Sequence, residues 1–267
     1  MTDNKEKIKK ALGNKGFYFI TLYGTVLYFV YGYVHRTVYV IKFRKRLINT
    51  LCLKSSGKEG KMKTTGNQES NYEKVFDQLR EWFLQCPQEN IAKKVGAEFN
   101  TENLYLPFFG EGCRISRATG EITGEGEREI PVTERLTIMH HLRYCKTFAE
   151  EGSKMVPFRE IREAAVFERA YERSALEPLK KHFAGRPQEL LKAGLKLGGI
   201  REKYGDVSVT LHAFPKISLT YIFWDKDEEF PPSANILFPD TITQWTHPES
   251  VPTLAQIGTE RLIQEAV

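Results

Sequence analysis

Four carboxylates, Asp225, Asp227, Glu228 and Glu229, fall within five residues of the stretch YIFWDKDEEFPP, 221–232. Clustered side-chain oxygens suit hard cations such as Mg2+, Ca2+ or Mn2+. Asp225, Asp227 and Glu228 are therefore the candidate metal ligands. A carboxylate pair can also do general acid–base work when burial or a like charge raises one pKa. An enzyme drawing on Asp227, Glu228 and His212 is the alternative reading. The spacing excludes an EF-hand, whose loop needs alternating Asp/Asn and a glycine. A solvated acidic turn before Pro231 and Pro232 has the same composition and no chemistry of its own.

Three further residues could hold a small molecule. Trp224 offers an aromatic face next to the acidic run, and His212 lies on the polar face of a strand-like alternation. Arg159 follows Pro157-Phe158 where a helix is expected to begin, and a guanidinium near a helix start suits a carboxylate or phosphate. Arg159, His212, Trp224, Asp227 and Glu228 are thus the candidate cofactor- or ligand-binding set. The cofactor is not specified by these residue types. Visible colour in the purified protein would indicate a tetrapyrrole, corrinoid or flavin, and stoichiometric metal would indicate the carboxylates.

Other patterns exclude more than they suggest. His140 and His141 are adjacent on a helical pattern, about 100° apart, and cannot chelate one ion together. His141 and Cys145 share a face at i, i+4, but no third ligand is evident. The four cysteines, Cys52, Cys86, Cys113 and Cys145, form no CxxC pair and no zinc or iron–sulfur spacing. Glycines 110, 112, 120, 124 and 126 lack the G-x-G-x-x-G register of a phosphate loop. No G-x-S-x-G elbow supports a hydrolase triad.

These side chains need elements to carry them. Tyr72, Phe76, Leu79 and Phe83 mark a helix that Pro87 ends, and Ile91, Val95 and Phe99 mark a second. Residues 102–126 alternate with glycine punctuation, which predicts a small antiparallel meander. Leu136, Met139 and Leu142 restore the helical period, with Thr133 as the expected N-cap. Residues 155–187 are expected to form a long helix, kinked at Pro178 and capped at Gly185. A short helix then stops at Gly198-Gly199. Two alternating runs, 207–213 and 217–224, predict a hairpin with one face on helices. The chain closes with a helix over 249–266. The class is α+β, a single domain of antiparallel hairpins and a small sheet packed against several helices.

Charge divides the chain. Residues 1–62 carry thirteen Lys/Arg against Asp3, Glu6 and Glu59, a net of +10, which leaves −5 on residues 63–267. A body with that balance lacks the basic stripe of a nucleic-acid binder. The basic arm contains eighteen uncharged residues, Phe17–Val34, long enough for a single membrane span. A membrane-anchored interaction protein is the reading if residues 1–61 are translated. Lys58-Glu59-Gly60 back-translates to a ribosome-binding sequence just before Met62, so a start at Met62 is the competing expectation. The N-terminal mass of the natural protein separates the two. Without the arm, the expected location is the cytoplasm, with reduced thiols.

MVPFREI, AAVFERAY and FPKISLTYIFWDKDEEFPPSANILFP, with LYLPFFGEGCRIS and PVTERLTIMHHL upstream, resemble the bacterial domain-of-unknown-function family numbered 3786, over about residues 71–265. The resemblance implies an origin in anaerobic bacteria and carries no assigned activity. Some relatives in that family bear a cysteine-rich iron–sulfur module before the domain. No four-cysteine cluster precedes residue 71 here, which weakens a redox-partner role. The expectation is a ligand- or cofactor-binding accessory protein of anaerobic metabolism.

Overall fold

A computed structural model describes the backbone of three short stretches before residue 45 and of residues 65–266, with side chains described from Asn71 to Ala266. The chain divides into two compact units, Met1–Met62 and Lys63–Val267. In the first unit, β1 (Phe17–Tyr23), β2 (Val26–Tyr31) and β3 (Tyr39–Arg44) form an antiparallel sheet in that order. Strands therefore stand where the spanning helix was expected. The segment is rich in Tyr, Phe, Val, Ile and Thr, whose branched and aromatic side chains favour the pleated backbone. Among the described residues no helix is long and apolar enough to cross a membrane.

The second unit is α+β. Helix α1 (Thr65–Gln85) and α2 (Gln88–Val95) meet at Pro87, as the breaker predicts. A four-stranded antiparallel sheet follows: β4 (Glu98–Phe99), β5 (Asn103–Phe108), β6 (Glu111–Ser116) and β7 (Ile122–Thr123). Helix α3 (Val132–Tyr144) starts one residue before Thr133, which is no cap. The Thr133 carbonyl instead accepts from the Thr137 hydroxyl at 2.8 Å.

The expected long helix is broken into pieces. Val156-Pro157 ends a short strand, β8 (Met155–Pro157), because a proline pushes the residue before it into extended backbone. Two 3-10 turns, Phe158–Glu160 and Arg162–Phe167, lead into α4 (Glu168–Tyr171). A π-helical turn, Glu172–Leu176, joins α4 to α5 (Glu177–Phe183). Pro178 lacks an N–H and its ring would strike the carbonyl four residues earlier, so the widened turn accommodates what would otherwise be a kink.

Helix α6 (Pro187–Lys196) precedes a five-stranded antiparallel sheet in the order β8-β12-β11-β10-β9. Its strands are β9 (Ile200–Arg201), β10 (Val207–Phe214), β11 (Ile217–Trp224) and β12 (Ser233–Pro239), with β8 at the edge. The predicted hairpin is β10–β11, in register Val207↔Phe223 through His212↔Ser218. Val209, Leu211, Leu219, Tyr221 and Phe223 are buried on one face. Helices α7 (Ile242–Trp245) and α8 (Ser250–Glu265) close the unit.

Helix α8 packs on β11 without a side chain at Gly258. A Cβ there would overlap the Tyr221 hydroxyl and lie 2.8 Å from Phe109 Cε1. That hydroxyl is itself fixed, donating to the Ala255 carbonyl at 3.1 Å. Alanine normally favours a helix interior over glycine by about 1 kcal/mol. Here Gly258→Ala is expected to destabilise by ~1–3 kcal/mol through overpacking. The check is a lower denaturant midpoint with an unchanged m value; a midpoint at or above that of the native protein contradicts the packing.

Candidate functional site

Strand order explains how distant residues meet. β8 and β11 both run antiparallel to β12, so they run parallel to each other, one strand apart. Arg159 follows the end of β8 and Trp224 ends β11, so both emerge at the same edge of the sheet, with about 10 Å between the strand axes. They line one cleft of about 330 Å3 together with Glu168, Tyr171, Glu172 and Asn235. The π-helical turn forms part of its wall through Glu172 and Leu176. Such turns recur at functional sites because they reposition side chains that a regular helix would stagger.

Arg159 is exposed and Trp224 keeps 40% of its surface, enough for a planar group to stack on the indole. Tyr171 is 3% exposed and its ring stacks on Phe158 at 4.3 Å. Its hydroxyl lies beside the Ile236 backbone without completing a hydrogen bond of good geometry. Burial pushes its ionisation up, so the group stays a neutral donor. Arg159 does not sit at a helix start: it lies within a 3-10 turn, and the helix-dipole contribution expected from the sequence is absent.

The other predicted residues do not line this cleft. His212 stands near the opposite end of the hairpin, six residues along β11 from the level of Trp224, or about 20 Å. It is exposed, and its Nδ1 is 2.9 Å from the Ser218 hydroxyl. Asp225 Oδ1 accepts the Gly185 amide at 2.8 Å, tying the loop to the turn after α5. Asp227 Oδ1 accepts the Glu229 and Phe230 amides at 2.8 and 2.7 Å. These amides, Phe230 foremost, hold the Asp227 carboxyl below its ordinary pKa. Glu228 is exposed on the same turn. The acidic run is thus a loop whose two aspartates accept backbone amides, and His212 is not assembled with Asp227 and Glu228. Among the described residues no group of three or more His, Cys, Asp or Glu side chains is placed to share a metal ion. His141 and Cys145 turn to backbone: His141 Nδ1 lies 2.9 Å from the Trp245 carbonyl, and the Cys145 thiol points to the carbonyls of Lys94 and Lys146.

Two polar clusters, one buried and one partly buried, have no local signal in the sequence. His140 Nδ1 meets the Ser250 hydroxyl at 2.7 Å, across 110 residues, and ties α3 to the first turn of α8. His247 packs against His140 with the rings tilted by 45° and their centres 5.0 Å apart. Ser250 is only 2% exposed, so this serine–histidine pair serves as a buried fastener between helices. The second cluster joins three elements: Arg261 of α8 reaches Glu111 of β6 at 3.1 Å and Glu134 of α3 at 2.9 Å. Arg128 adds a two-pronged contact to Glu111 at 2.8 and 2.6 Å. Charged residues at long separation carry no periodicity, so no local pattern could have revealed either cluster.

No curated protein and no solved structure matches the chain. Residues 88–261 match the family described as Domain of unknown function (DUF3786), a span that takes in both sheets of the second unit, the Arg159–Trp224 cleft and both polar clusters. The chain belongs to the DUF3786 family.

Proposed function

We propose that the protein is a non-catalytic ligand-binding or accessory protein whose small-molecule ligand occupies the cleft between Arg159 and Trp224. The observation that supports this most is the convergence itself. Two residues of ligand-binding type, 65 positions apart in sequence, line one cleft together with Tyr171 and Asn235. The volume is within the range of small-molecule sites, about 300–1,000 Å3.

The lining favours a particular chemistry. The Arg159 fork suits a carboxylate or phosphate, and Trp224 suits a planar body. Asn235 supplies a neutral hydrogen-bonding group. Glu168 and Glu172 favour a positive or donating group on the far side of the ligand. Among the described residues, His212 stands at the other end of the hairpin from Asp227 and Glu228, which disfavours the acid–base reading of that set. Family resemblance suggests anaerobic bacterial metabolism as the setting.

Native mass spectrometry of protein purified without oxygen or denaturant tests the reading. The expected result is a population with one additional small-molecule mass, lost in an Arg159→Ala/Trp224→Ala double variant of unchanged thermal stability. An added mass that persists in the double variant would place the ligand elsewhere and sink the proposal.

A further inference from the structure

We propose that a second groove, lined by Lys93, Lys94 and Lys146, binds a phosphorylated small anion. Lys93 and Lys94 occupy the last turn of α2, and Lys146 follows the end of α3. They line a groove of about 630 Å3 with Asn90, Ile91 and Trp245. No ammonium group of the three has an ion-pair partner among the described residues, and no Asp or Glu lines the groove. Each of the other clefts described includes at least one carboxylate. In a body carrying −5, three lysines along one groove that no carboxylate lines make its local field positive, which suits an anion.

The floor is rigid. Trp245 is 4% exposed, its indole N–H donates to the Glu150 carbonyl at 3.0 Å, and its own carbonyl meets buried His141. Trp245 and Ile91 are buried beneath the groove, and Lys93 and Lys146 are exposed along it. A ligand with a compact, highly charged head fits there. Lysine ammonium groups act as point charges, and several around one groove suit a compact, multiply charged phosphate group. The plainer account is that Lys93 and Lys94 complement the negative end of the α2 dipole. The same account extends to Lys146 at the end of α3, but it leaves unexplained why no carboxylate lines the groove that the three lysines share. Three lysines in a concave groove are also too few for a nucleic-acid track.

Inorganic tripolyphosphate is the probe. Calorimetric titration at about 0.01 M salt, where the screening length is ~30 Å, is expected to give saturable binding that weakens steeply as salt rises. Lys93 and Lys146 are exposed, so a Lys93→Gln/Lys146→Gln variant is expected to keep the native thermal midpoint. It is expected to bind ~10-fold or more weakly, the loss of two ammonium–phosphate contacts near a surface. Arg159→Ala is expected to bind tripolyphosphate like the native protein.

Cys86, half-buried on the groove wall, provides an independent readout, since Cys113 and Cys145 are buried. Its alkylation by neutral iodoacetamide, followed by peptide mass mapping, is expected to slow when the probe is present. Undiminished binding in the lysine variant overturns the proposal. So does loss of binding in Arg159→Ala, or the absence of both saturation and Cys86 protection in the native protein.

Discussion

Between pH 6.5 and 4 the second unit is expected to lose stability steeply, with buried histidines as the main cause. His140 and His141 are both depressed to about 4, in each ring chiefly because burial penalises the charged form. His247 and Arg143 face His140 and Lys94 acts on His141, so every neighbouring charge named opposes protonation. The unfolded chain takes up these protons near pH 6.5 and the folded chain does not. The stabilisation is therefore fully present above pH 6.5 and falls as the pH drops towards about 4. There the folded rings begin to protonate and the loss stops growing. Two such rings give a slope of at most ~2.7 kcal/mol per pH unit and a loss of up to ~3 kcal/mol each. Denaturant titrations across that range, with NMR of the imidazole signals, measure both parts. Stability that stays flat from pH 6.5 to 4.5, or rings that titrate near 6.5 in the folded protein, would falsify the packing described for α3.

Arg261→Met is expected to produce the largest effect of any single substitution considered, a loss of ~2–4 kcal/mol. Arg261 is 12% exposed and joins Glu111 and Glu134, which are 19% and 14% exposed. Its guanidinium also lies over the rings of Phe108 and Phe109 at 5.4 and 5.8 Å. Methionine fills much of the same volume, so the loss reports on charge. Glu111 keeps Arg128, but Glu134 is left with the same arginine at only 3.9 Å. An uncompensated carboxylate in that position costs more than the pair contributed, because the remaining charge stays partly desolvated. Adding Glu134→Gln to Arg261→Met is expected to recover part of the loss. If the double variant is as unstable as the single, the cost lies in packing and not in the stranded carboxylate. The network has its own pH signature. Its arginines, Arg128 first, hold the Glu111 carboxyl below its ordinary value of 4.5. That contribution is present above pH 4.5 and lost as the pH falls through the depressed value, a window below that of the histidines.

Local pattern was enough for the hairpin. Val207 to Ala213 and Ile217 to Leu219 alternate because one face carries the apolar core, while Ser208, Thr220 and Ile222 on the other face are covered as well. It was not enough for residues 155–187. Alanine, glutamate and arginine favour a helix throughout, and only the local constraints at Pro157 and Pro178 turn that stretch into a strand, 3-10 turns and a π turn. The amino-terminal segment misled for a related reason. Eighteen uncharged residues satisfy the length of a spanning helix, while their aromatic and β-branched types satisfy a strand equally well.

At the candidate site, residue type pointed to Arg159 and Trp224, and strand order brought them together. His212 is a candidate by its place on the polar face of its strand, yet antiparallel pairing puts it at the opposite end of the hairpin from Trp224. Asp225 and Asp227 were read for their charge, while the amides they accept determine their work. The Gly185 amide lies 40 residues away from Asp225, beyond the reach of any local rule.

The central claim is that a small molecule occupies the cleft at the end of β8 and β11. A crystal structure of the protein as purified without oxygen addresses it most directly. The account predicts a bound molecule stacked on Trp224, with an acidic group at Arg159. A cleft holding only ordered water, from protein whose native mass shows a ligand bound, would contradict it.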